Sequence, residues 1–140
     1  MSFQRIDHDE TKPEGTKSII IYGYTEKEIE AIRLLGQDFD IEDFIVTDKS
    51  MSGLTLGELV EGKREEKTFK GAVAKRSIIM NAFSNKDVQE FIEAVKKSDI
   101  KKPIFAVVTP TSARWQLGKL IKELVLESVM MSNNQRKKHK

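Results

Sequence analysis

The chain has 140 residues, 24 Lys/Arg against 22 Asp/Glu for a formal net charge of +2, 39% hydrophobic residues, 33% charged residues and no cysteine. Its length corresponds to about one domain, whose interior needs neither a metal nor a disulfide, and the missing Cys excludes a disulfide framework, thiolate catalysis and Cys-bearing zinc or iron–sulfur sites. No apolar run approaches the roughly 18 to 20 residues of a membrane span, and the polar start MSFQRIDHDE lacks a signal-peptide apolar stretch, so a cytoplasmic protein without membrane contact is expected.

Residues 1–17 are polar apart from Phe3 and Ile6 and are expected to form a flexible N-terminal arm. SIIIY (18–22) is a β-branched run that suits a strand buried on both faces, ended by Gly23. Thr25 then provides a capping hydroxyl before EKEIEAIRLL, with Glu28 three residues on as in a capping box and Ile29, Ile32 and Leu35 at helical spacing. Residues 44–47 (FIVT) predict a second strand. Residues 54–61 (LTLGELVE) predict a short helix, entered from the polar loop 48–53.

The same order then recurs. SIIM (77–80) predicts a third strand, Ser84 caps a helix carrying Val88, Phe91, Ile92 and Val95, and IFAVV (104–108) precedes a long helix from about residue 112. A shift of 59 lays SIIIYGYTEKEI over SIIMNAFSNKDV, and a shift of 61 lays LTLGELV over WQLGKLI. These matches fall at strand, cap and helix-face positions in one order, which marks an internal duplication. The expected fold is therefore α/β: two tandem βαβα repeats, 18–61 and 73–132, joined by a charged linker 62–72, within a single domain 18–132. Each repeat supplies a parallel strand pair through a right-handed crossover, giving one four-stranded sheet covered by helices. Whether the two pairs continue in parallel or meet about a local two-fold axis as a mixed sheet stays open.

In the second copy, the strand ending Asn81-Ala82-Phe83, the acidic helix after Ser84, the run Thr109-Pro110-Thr111 and the later Trp115 resemble the bacterial domain of unknown function 3783. The resemblance covers about residues 76–127. Ala82 stands where that pattern carries Gly, the residue found at position 23 of the first copy. The resemblance supports the fold and implies no activity.

The chemistry-bearing residues are few. His8 and His139 lie in the expected arms, no common phosphate-loop, dinucleotide, hydrolase-elbow or zinc-protease motif occurs, and no metal site or cofactor is expected. If a small anionic ligand binds, the strand-end loops 47–53 and 109–115 are the place, with Thr109, Thr111, Ser112, Arg114, Ser50 and Ser52 as binding groups. The bland alternative for those hydroxyls is capping. In the last helix Leu117, Leu120, Ile121, Leu124 and Val125 share one face, whereas Leu126, Val129 and Met130 lie opposite and point to self-association as a homodimer. Residues 1–70 carry 10 Lys/Arg against 16 Asp/Glu, net −6, and residues 71–140 carry 14 against 6, net +8, a split that can attract a second copy or an anionic partner. The segment 133–140, with Arg136, Lys137, Lys138 and Lys140, is expected to be a basic flexible tail that could favour nucleic acid, although no aromatic platform accompanies it. A non-catalytic, self-associating binding or assembly module is the leading expectation. A small anionic-ligand protein or enzyme, and a nucleic-acid accessory protein, are the alternatives.

Overall fold

The computed structural model describes residues 15–71 and 75–138, and the side chains of the last helix as far as Glu127. Its strands and helices are β1 (Ser18–Tyr22), α1 (Glu26–Gly36), β2 (Asp43–Thr47), α2 (Leu56–Val60), β3 (Ser77–Asn81), α3 (Asn85–Lys97), β4 (Ile104–Val107) and α4 (Leu117–Lys138). Their starts follow from side chains. The Thr25 hydroxyl accepts from the Glu28 N–H while the Glu28 carboxylate accepts from the Thr25 N–H at 2.8 Å, the expected capping box. Thr55 and Glu58 build a second one at the head of α2, which therefore begins two residues later than the apolar pattern suggested. Ser84 caps α3 through the Asp87 N–H.

The long helix expected from residue 112 starts instead at Leu117. Residues Ser112–Arg114 form a separate 3-10 turn and Trp115 is extended, because the backbone there is occupied by the first copy. Gln116 forms an antiparallel bridge with Thr55, with the Leu56 N–H donating to the Trp115 carbonyl at 3.0 Å and the Leu117 N–H to the Leu54 carbonyl at 2.9 Å.

The strand order is β2-β1-β3-β4, with β1/β2 and β3/β4 parallel and β1/β3 antiparallel. The sheet is thus mixed, and the two repeats meet about a local two-fold axis. Ile20 pairs with Ile79 in the β1/β3 register, and the shift of 59 makes these two residues equivalent, so the axis passes between them. The shift of 61 likewise makes Thr55 equivalent to Gln116, so their bridge is a second point on the axis and its two flanking hydrogen bonds are copies of each other.

One face of the sheet, Ile19, Ile21, Ile78 and Met80, packs against Ile32 of α1 and Phe91 and Val95 of α3. The other face, Ile20, Tyr22, Ile45 and Ile79, packs against Leu56 and Leu59 of α2 and Leu117, Leu120 and Ile121 of α4. Both central strands are therefore buried on two sides, as their unbroken apolar runs require, at about 1.5–3 kcal/mol for each fully buried aliphatic side chain.

The linker is mostly exposed but fastened. Its Lys67 N–H donates to the Ser50 carbonyl at 2.7 Å and its carbonyl accepts from Gly53, while Phe69 lies where a Cβ on Gly118 would come within 2.7 Å of it. Residues 1–14 of the expected arm lie outside the described residues, and Lys17 at its end is buried. The expected tail falls partly within α4, whose helix runs to Lys138; residues 139–140 and the side chains of 128–138 lie outside what is described.

Candidate functional site

The two strand-end loops are built by their own hydroxyl groups. After β2, the Asp48 carboxylate accepts from the Ser50 N–H and hydroxyl, and the fully buried Ser52 hydroxyl donates to the Lys49 carbonyl at 2.7 Å and accepts from the Phe69 N–H at 2.9 Å. After β4, the Thr109 N–H donates to Ser112 Oγ at 2.9 Å, the Ser112 N–H to Thr109 Oγ1 at 3.0 Å, and the two hydroxyls lie 3.1 Å apart. Thr111 heads the 3-10 turn without a side-chain cap, and Arg114 is exposed. The loops do come together, through the Thr55–Gln116 bridge and a hydrogen bond from Gln116 Nε2 to the Gly53 carbonyl at 3.1 Å. That meeting is a backbone joint. The Leu117 and Gly118 N–H groups at the head of α4, donors an anion there would use, already serve the Leu54 and Ser52 carbonyls at 2.9 and 2.8 Å.

Beyond the hydroxyl loops, the C-terminal ends of β1 and β2 border a cleft of about 330 Å³ lined by Tyr22, Gly23, Tyr24, Thr47, Asp48, Lys49 and Arg76. Burial pushes the Tyr22 phenol up, with the Asp48 charge adding to it, and pushes Tyr24 up strongly against the lowering field of Arg76. The Thr47 hydroxyl donates to the Ile21 carbonyl at 2.8 Å and the Tyr24 hydroxyl to the Lys101 carbonyl at 2.6 Å, so both fix the cleft wall. Neither Arg76 nor Lys49 is among the binding groups expected from the sequence, although Lys49 lies in the loop 47–53 expected to hold an anion. Carrying the shift of 59 back by one residue pairs Arg76 with Lys17, and that pairing was the available sign.

A family description, domain of unknown function (DUF3783), matches residues 76–131, the second copy. This stretch is similar to that family, whose description carries no activity. Neither curated proteins nor solved structures provide a match. Among the described residues no group of three or more His, Asp or Glu is placed to hold a metal ion, and no helix is long and apolar enough to cross a membrane.

The third surface is on the helices. Leu126 of α4 is 49% exposed and Leu34 of α1 is 62% exposed. Leu34 borders a groove of about 540 Å³ lined by apolar Ala31, Leu35 and Ile100 and by the charged Lys27, Glu28, Asp38 and Asp99. Val129 and Met130, the other expected contact residues, lie outside the described side chains.

Proposed function

We propose that this chain is a non-catalytic cytoplasmic assembly module that self-associates through the end of α4. The observation that carries the reading is the inequality of two equivalent helices. α2 has 5 residues and lies against the core, whereas α4 has 22 and, after burying Leu117, Leu120 and Ile121, turns Leu126 to solvent. At about 1.5 Å per residue α4 is roughly 33 Å long, about twice the length of a five-residue strand. It outruns the sheet it covers.

The matching surface is the groove beside Leu34, and its occupant is the α4 end of a second copy. Charge supports that choice: the groove is lined by Glu28, Asp38 and Asp99 against a single cation, Lys27, and the α4 end carries Arg136, Lys137 and Lys138. Reciprocal seating of two such ends closes a dimer.

Light scattering coupled to size exclusion tests this on wild type, Leu126→Glu and Leu34→Glu. A dimer in wild type that becomes a monomer in both variants is the expected result. A wild-type monomer at every concentration, or a dimer untouched by Leu126→Glu, rejects the reading.

A further inference from the structure

We propose that the cleft at the C-terminal ends of β1 and β2 binds the phosphate group of a small molecule, with Arg76 and Lys49 as its cationic ligands. The duplicated framework supplies an internal comparison. Lys17, the first-copy equivalent of Arg76, is buried, hydrogen-bonded to Asp87 at 2.5 Å and stacked 4.9 Å from the Phe83 ring. Arg76 repeats the gesture toward Glu28 and Tyr24, but Glu28 is 3.9 Å away and the ring 5.8 Å away, and its buried Nε makes no hydrogen bond. One cation is satisfied by the protein. The other lines a cleft, its Nε without a hydrogen bond and its ion pair with Glu28 a long one.

Further features point the same way. Gly23, at φ +86°, has no Cβ, and the position one would take lies 3.1 Å from Arg76 Cα, so the Arg76 backbone is held close against the end of β1. Lys49 stands at the cleft mouth with no ion pair among the described residues. The neighbouring carboxylates are engaged in turns: Glu28 Oε1 accepts from the Thr25 N–H, and Asp48 Oδ1 takes both Ser50 donors. A planar guanidinium and an ammonium group lining one cleft suit the several oxygens of a phosphate better than the two of a carboxylate. The cleft volume, about 330 Å³, fits a metabolite-sized ligand, with Tyr22 and Tyr24 as its aromatic walls.

Titration of the full chain with inorganic phosphate and pyrophosphate, followed by amide and Arg Nε resonances at matched ionic strength, tests the site, with acetate as the comparison anion. The expected result is a shift of Gly23, Lys49 and Arg76 signals by the phosphates, and affinity lower by about tenfold in both Arg76→Met and Lys49→Met. Lys17→Met is expected to lower the melting temperature and leave phosphate affinity unchanged. No shift of these signals, binding indifferent to Lys49→Met, or acetate binding as tightly as phosphate overturns the proposal.

Discussion

Ile20 and Ile79 lie directly opposite each other where β1 meets β3, and they are also the residues that exchange when one copy is laid on the other. The chain has thus built a two-fold axis inside one polypeptide. Away from that pair, several contacts have a partner contact in which the residues differ, so the molecule carries its own controls.

The turn after the central strand is the first. Gly23 has φ +86° and Ala82, its equivalent, has φ +63°. A left-handed Ala is strained where Gly is not. Ala82→Gly is therefore expected to raise the unfolding free energy by about 0.5–1 kcal/mol, and Gly23→Ala to lower it by more than 1 kcal/mol, since the added Cβ would meet the Arg76 backbone. Urea unfolding of both variants checks the opposite signs.

The crossing ion pairs are the second control. Lys17 and Asp87 have side chains 11% and 32% exposed, whereas Arg76 and Glu28 are farther apart and the Arg76 side chain is 36% exposed. Lys17→Met is expected to cost about 1.5–3 kcal/mol, the range for a hydrogen bond to a charged group, and Arg76→Met under about 1 kcal/mol. Comparable losses in the two variants would contradict this asymmetry.

The linker contact makes a third test. A Cβ on Gly118 would come within 2.7 Å of Phe69. Gly118→Ala is expected to destabilise by about 1–3 kcal/mol through overpacking, and Phe69→Gly in the same chain, which removes the Cβ, Cγ and Cδ2 that the new methyl would meet, to relieve much of that loss. A double-mutant cycle in chemical unfolding measures the coupling, and strict additivity would mean that the linker does not rest there.

The two capping boxes set a pH dependence. Glu28 and Glu58 are each held below their usual 4.5, first by the hydrogen bond from the backbone N–H of Thr25 or Thr55. A folded value below the unfolded one contributes stability that is complete above about pH 4.5 and is lost as pH falls through the folded value. Glu28→Gln with Glu58→Gln retains a capping amide and removes the titrating carboxyls. The double variant is expected to lose less stability than wild type between about pH 6 and pH 3, as followed by urea midpoints.

Much of this architecture was legible in the sequence. The SIIIY and SIIM runs, the Thr25 and Ser84 caps and the helix spacing of Ile32, Phe91 and Val95 are local patterns, and local patterns give strands and helices directly. The direction of β1 against β3 is settled by packing between segments 59 residues apart, which no local pattern records. The start of α4 is also legible: the shift of 61 places Gln116 on the helix-capping position of Thr55, so the helix begins after it. The strand-end hydroxyls are ambiguous in the sequence because hydroxyls near a turn fit both capping and binding, and the structure shows Thr109 and Ser112 bonded to each other. The role of Arg76 is not legible, because a cation just before a strand says nothing about which distant aromatic or acid it will face.

The shared interior is most directly tested by native-state hydrogen exchange of the full chain. Ile20 and Ile79 amides are expected to exchange with the same free energy, equal to that of global unfolding measured by denaturant, because neither central strand is covered without the other copy. Exchange of one strand at an opening free energy more than about 2 kcal/mol below the other would show two separately folding halves and contradict the account.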